Sequence, residues 1–205
     1  MKVLKYILAA IAIIVLAFFA VGFIIPEVEY GHKITVNKSI NEAWDVSQDE
    51  SKFHLWLDGF KSIELLEGEK GQVGSKYLVK VNPGEGQPEF EMTETLVAIE
   101  QPTFVEMHFD SEMMDFKQTI RFSEQEDGVH IKTESLVIGK GLSSKAMFAI
   151  MEMAGGAFTA QEAKNMNNLK TVIEENTTDY SPEPEPVLVD SLEVAVEEVI
   201  EEVVE

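Results

Sequence analysis

The sequence contains no cysteine and has only 16 basic side chains against 37 acidic ones, a formal net charge of −21. Without cysteine there can be no disulfide, thiolate metal site, cysteine nucleophile or lipidated cysteine. So few cations exclude a general nucleic-acid binder, which needs a basic face for phosphates. Histidine is scarce too. His32, His54, His108 and His130 form no HxH or HxxxH pair, so no metal site is expected from them. Gly-x-Ser-x-Gly elbows, Walker loops and dinucleotide fingerprints are absent. No cofactor is expected, and no residue declares itself catalytic.

What is present is unevenly spread. Residues 1–25 carry Lys2 and Lys5 and no acid, residues 26–176 carry 14 basic and 27 acidic side chains, and residues 177–205 carry ten acids and no base. With 45% hydrophobic and 26% charged residues, the composition is that of a folded chain. The three stretches are read as anchor (1–25), domain (26–176) and tail (177–205).

Tyr6 to Ile25 is a run of 20 residues without a charge. At about 1.5 Å per helical residue it spans a hydrocarbon core of about 30 Å. The alternative is a cleaved signal peptide, whose apolar region is typically about 7 to 15 residues long. Ala20-Val21-Gly22 is a weak cleavage match, so a single-pass transmembrane helix is the leading expectation. Lys2 and Lys5 precede the span and Glu27 and Glu29 follow it. The positive-inside rule then puts the N-terminus in the cytoplasm and the domain in the periplasm or outside the cell.

In the domain, His32 to Val36 reads as a strand. Ser39-Ile-Asn-Glu42 reads as a capping box opening a helix with Ala43, Trp44 and Val46, and a second helical turn falls near Phe53 to Leu57. Strand character follows over 62–66, 76–81, 90–99, 103–109, 115–123 and 129–138. The separators are short and turn-like, among them Gly84-Glu-Gly86 between Pro83 and Pro88. Connections this short make the strands antiparallel. Alternation, clearest in Phe116, Gln118, Ile120 and Phe122, buries one face and wets the other. Residues 143–174 read as one long helix, with Gly155-Gly156 marking a kink or a close approach.

This order of elements resembles the START-like superfamily, also called SRPBCC or Bet v 1-like. The resemblance is carried by Ile34-Thr-Val-Asn-Lys-Ser-Ile-Asn-Glu-Ala-Trp44, by Phe53 to Trp56 and by Met166-Asn-Asn-Leu-Lys170, and covers about residues 29–175. The branch it is most similar to is polyketide cyclase, dehydrase and lipid transport. It implies an α+β helix-grip fold, in which a curved antiparallel sheet wraps a long C-terminal helix. It also implies a small hydrophobic or lipid-like ligand in the hollow between them.

Inward parity offers Tyr77, Val79, Met92, Leu96, Met107, Phe116, Ile120, Met147, Phe148 and Met151 as an apolar, adaptable lining. The alternative is that they fill a close-packed core and leave no cavity. Glu94, Gln118, Thr133 and Ser135 share that parity and, if buried, need partners. Glu94 could instead be solvated near a strand end. Three functions stay open: a ligand-binding domain, an enzyme of cyclase or hydrolase type using the same hollow, and a protein-interaction module with a filled core.

The opening of the tail, Thr177 to Pro186, contains Ser181-Pro-Glu-Pro-Glu-Pro186, an extended linker. Val189, Leu192, Val196, Val199 and Val203 then repeat at heptad spacing among glutamates. Two such heptads are too short to stand alone, so the tail is either disordered or a short amphipathic helix that folds on a protein partner.

Overall fold

The computed structural model describes residues 2–82 and 89–180. The turn at 84–86 and the heptad pattern of the tail lie outside them.

Helix α1 (Lys2–Ile24) takes in the charge-free run except for its last residue, Ile25, and is long and apolar enough to cross a membrane. Strands β1 (Glu27–Tyr30) and β2 (Lys33–Val36) follow, then α2 (Ile40–Gln48), a 3-10 turn (Glu50–Lys52) and α3 (Phe53–Trp56). Six further strands come next: β3 (Phe60–Glu67), β4 (Lys76–Val81), β5 (Phe90–Glu100), β6 (Phe104–Asp110), β7 (Met114–Gln125) and β8 (Gly128–Gly139). Helices α4 (Leu142–Gly155) and α5 (Ala157–Glu174) complete the fold.

All pairings are antiparallel, in the spatial order β1-β8-β7-β6-β5-β4-β3, with β2 also on β8. Strand β1 is absent from the sequence reading, because Glu-Val-Glu-Tyr is too short for its alternation to stand out. It continues the line of β2 along β8: Tyr30 faces Ser135 and Lys33 faces Lys132. Gly31 joins the two, and no side chain would fit there, since a Cβ would lie 2.3 Å from the Thr133 carbonyl oxygen.

Ser39 caps α2 as expected, its hydroxyl accepting from the Glu42 N–H at 3.2 Å. Glu42 does not return the bond. Its carboxylate takes Lys38 Nζ at 2.8 Å and Asn176 Nδ2 at 2.9 Å, tying α2 to the end of α5.

The expected single helix over 143–174 is two. Gly156 adopts a left-handed φ of +59° and donates its N–H to the Glu152 carbonyl at 2.7 Å, closing α4. Glu152 then accepts the Phe158 N–H at 2.9 Å through its carboxylate, starting α5. Only α5 lies in the grip of the sheet. Its Met166, Leu169 and Ile173 are fully buried with Val36, Val46, Ile131 and Trp44 of β2, β8 and α2. Helix α4 instead packs on β8, β1 and α1. Within or just beyond α1, Phe18, Val21, Gly22 and Ile25 lose exposure along one helical face. A Cβ on Gly22 would meet the Ala146 amide nitrogen at 2.6 Å, so the two helices touch backbone to backbone.

The described chain ends in a fixed contact. Tyr180, which the sequence reading assigns to the tail, donates its hydroxyl to Asp49 at 2.8 Å and lies 5.0 Å beneath Lys52 Nζ.

Candidate functional site

Pairing register shows how side chains from distant parts of the chain form one concave surface. One row across the inner face runs Leu65, Tyr77, Glu94, Phe109, Phe116, Val137, Val28. The next runs Leu96, Met107, Gln118, Ser135, Tyr30. A third runs Ile99, Val105, Ile120, Thr133. Helix α5 closes over these rows with Phe158, Glu162 and Met166, and α3 adds Phe53 and Trp56.

The side chains do not fill the space between. A cavity of about 460 Å³ remains, within the range of about 300–1,000 Å³ usual for small-molecule sites. Its exposed lining residues, Asp58, Lys70, Gly71, Gln101 and Gln161, form a rim.

Of the residues expected to line a hollow, Tyr77, Val79, Met92, Glu94 and Leu96 lie on its β4–β5 wall. Met107, Phe116, Gln118, Ile120 and Thr133 lie on the β6–β8 wall. Four do not line it. Ser135 is buried one step behind, accepting from Gln118 Nε2 at 3.2 Å. Met147 and Phe148 belong to a separate apolar cluster with Val28 and Val137, and Met151 is 45% exposed on α4. These three are misplaced because the helix breaks at Gly156, which turns α4 away from the hollow.

Four carboxyl groups line the cavity; Glu50 and Asp58 are ion-paired with Lys70 and Lys164, and the surroundings of the other two, Glu162 and Glu94, differ. Glu162 is buried and receives Gln118 Nε2 at 3.3 Å and 3.4 Å on its two oxygens. Burial pushes its pKa up, and hydrogen bonds from Thr133 and Gln118, with His32 nearby, pull partly back. The sequence reading passed over this residue, yet a signal existed. Phe158, Glu162, Met166, Leu169 and Ile173 step by four, four, three and four, so a glutamate occupies the apolar stripe of α5.

Glu94 sits in mid-strand, not near a strand end. It is enclosed by protein except toward the cavity, where it keeps some exposed surface. It makes no hydrogen bond or ion pair with the described residues. Burial, and secondarily the charge of Glu50, raise its pKa to about 7. The indole N–H of Trp56, another lining residue, is buried without a partner among the described residues.

The histidines stay apart. His108 stands 3.3 Å from Asp115 and His130 stands 2.7 Å from Asp127, both on the wet face. Among the described residues no group of three or more His, Asp or Glu side chains could hold a metal ion.

The architecture recurs in solved structures. The di-domain ARO/CYC protein BexL superposes with a TM-score of 0.57 at 11% identity, over 74% of this chain and 51% of its own. This chain therefore spans about half of that two-domain protein. A conserved protein from Geobacillus kaustophilus gives 0.56 at 16% identity, over 71% and 95% of the two chains. A protein of unknown function from Staphylococcus aureus gives 0.53 at 15%, over 72% and 94%. Identities this low speak for the fold alone. No curated protein matches the sequence at a significant level. The profile of the family described as polyketide cyclase / dehydrase and lipid transport matches residues 27–174, the whole of the sheet with the helices that grip it, and the chain belongs to that family.

Proposed function

We propose that this protein is a membrane-tethered binding domain that holds one small, largely apolar ligand between its sheet and α5. The observation that carries the reading is the unfilled hollow of about 460 Å³, walled by Val79, Met92, Met107, Phe116 and Ile120 and carrying the carboxyl groups of Glu94 and Glu162. A filled core would leave no such space, so the reading as an interaction module has less support. The tether is α1. Its close seat on α4 favours a retained anchor over a cleaved leader, because cleavage near Gly22 would expose the Ala146 backbone that it covers. Helix α4 presents Leu142, Ile150, Met151 and Met153 to the outside beside α1, an apolar flank suited to the membrane boundary. By the lysines before α1, the domain lies on the periplasmic or outer side.

The test is to purify the full chain in detergent, extract it with organic solvent and identify what it carries by mass spectrometry. A stoichiometric apolar species is expected with the wild type and is expected to be missing from Met92→Trp, which fills the hollow. A chain that emerges empty and takes up no apolar dye would refute the reading.

One observation favours a second reading. A carboxyl with a pKa of about 7 inside a cavity is suited to general acid–base chemistry near neutral pH. Chemical conversion of the extracted ligand by wild type, lost in Glu94→Gln, would select that alternative.

A further inference from the structure

Glu94 is the one ionisable carboxyl in its cross-strand row; its row neighbours are Leu65, Tyr77, Phe109, Phe116, Val137 and Val28. A polar group enclosed this way is normally hydrogen-bonded. Glu162, across the hollow, obeys that rule through Gln118, but Glu94 has no hydrogen-bond or ion-pair partner among the described residues and borders the cavity.

The charges around it have the same sign or are already paired. Glu50 of the 3-10 turn faces it and is held by Lys70 at 3.0 Å. Asp58 on the rim is held by Lys164 at 2.8 Å. The Tyr77 hydroxyl beside Glu94 accepts the Gly71 N–H at 2.8 Å, and Glu162 stands across the cavity on α5, with Tyr30 and His32 near it. Lys70 is therefore the sole cationic lining residue described, and it is already paired.

Building on the hollow as a ligand site, we propose that Glu94 is its head-group subsite and selects apolar molecules with a hydrogen-bond-donating head, a hydroxyl or an ammonium, against carboxylates such as fatty-acid anions. A donor head satisfies the orphan carboxyl. An anion would meet Glu94 and Glu162, beside Glu50 and Asp58, with no free cation among the described lining residues to offset them. The preference strengthens with pH for an ammonium, because Glu94 passes to its charged form near neutrality.

The test uses the full chain in lipid nanodiscs, with empty nanodiscs as control, and three water-soluble probes sharing one apolar body: 1-naphthylmethylamine, 1-naphthalenemethanol and 1-naphthoate. Affinities are read by calorimetry at pH 5.5 and pH 8. The amine and the alcohol are expected to bind at least about tenfold more tightly than the naphthoate at pH 8. The amine is expected to lose affinity at pH 5.5, and Glu94→Gln should narrow the amine–naphthoate gap while the alcohol still binds. Naphthoate binding as tightly as the amine, or a gap that Glu94→Gln leaves intact, would overturn the selectivity and leave the hollow standing. Failure of all three probes would bring down the hollow as a ligand site and the selectivity with it.

Discussion

Helix α5 crosses one sheet, yet its two halves meet different things. Toward its C-terminus, beyond Met166, the side chains of Leu169 and Ile173 are packed solid against α2, β2 and β8, with Trp44 edge-on to Phe122 at 5.3 Å. Toward its N-terminus Phe158 and Glu162 look into a cavity. The sheet is continuous beneath both, so the difference lies in what is laid over its ends. Helix α2 plugs one end, whereas at the other α3 brings two aromatic rings without filling the space. The domain is thus a stable half carrying a receptive half, and stability and binding can be altered separately.

Several changes would break or sharpen that contrast. The largest effect is expected from Leu169→Ala in the packed half, about 2–5 kcal/mol of unfolding free energy by denaturant titration. Met92→Ala, whose neighbours already border empty space, should cost less than about 1.5 kcal/mol because it adds little new cavity. Equal losses would mean that the hollow is packed in solution.

Glu94→Gln comes next, and its effect has a sign that depends on pH. Burial raises the carboxyl to about 7 from its ordinary 4.5. Between those values the folded state keeps a proton that the unfolded chain releases, so wild-type stability falls as pH rises through that window. The glutamine variant escapes this fall. It should be more stable than wild type at pH 8 by on the order of 1–2 kcal/mol, and equal to it near pH 4. Thermal melts at the two pH values decide it, and a gain at both alike would contradict the assignment to Glu94 ionisation.

Gln118→Leu removes the donor from Glu162 and should cost about 1–3 kcal/mol, the penalty for leaving a buried acceptor short of a partner. A loss as small as that of Met92→Ala would mean that water entering the hollow replaces the amide. The smallest effect on stability is expected from Gly22→Leu, which forces α1 off α4 without touching either half of the sandwich. Because the chain has no cysteine, spin labels on Phe19→Cys and Ile150→Cys can follow it. The label distance should broaden while binding in the hollow is unchanged.

How much of this was readable beforehand differs by feature. Strands β4 to β8 announce themselves by alternation, and the inward face of Phe116, Gln118 and Ile120 follows from the pleat. Ser39 marks the start of α2 because a hydroxyl before an apolar-periodic stretch has one common use. Strand β1 gave too few residues to show a period. The break at Gly156 was visible only as a glycine pair, since a kinked helix and two helices share that signature. That ambiguity sent Met147, Phe148 and Met151 to the wrong place. Glu162 was legible in the stripe of α5, as a charge where an apolar residue belongs.

The sequence by itself determined an apolar segment able to span a membrane, an antiparallel sheet with one buried face, a terminal helix and an acidic surface. These follow from local periodicity and composition, which act over a few residues at a time. Only the tertiary structure decided that the side chains leave the hollow unfilled, that Glu162 has a hydrogen-bond partner and Glu94 has none among the described residues, and that α1 seats on α4. Those outcomes depend on how closely surfaces far apart in the chain approach one another, and a side chain's parity carries no measure of that distance.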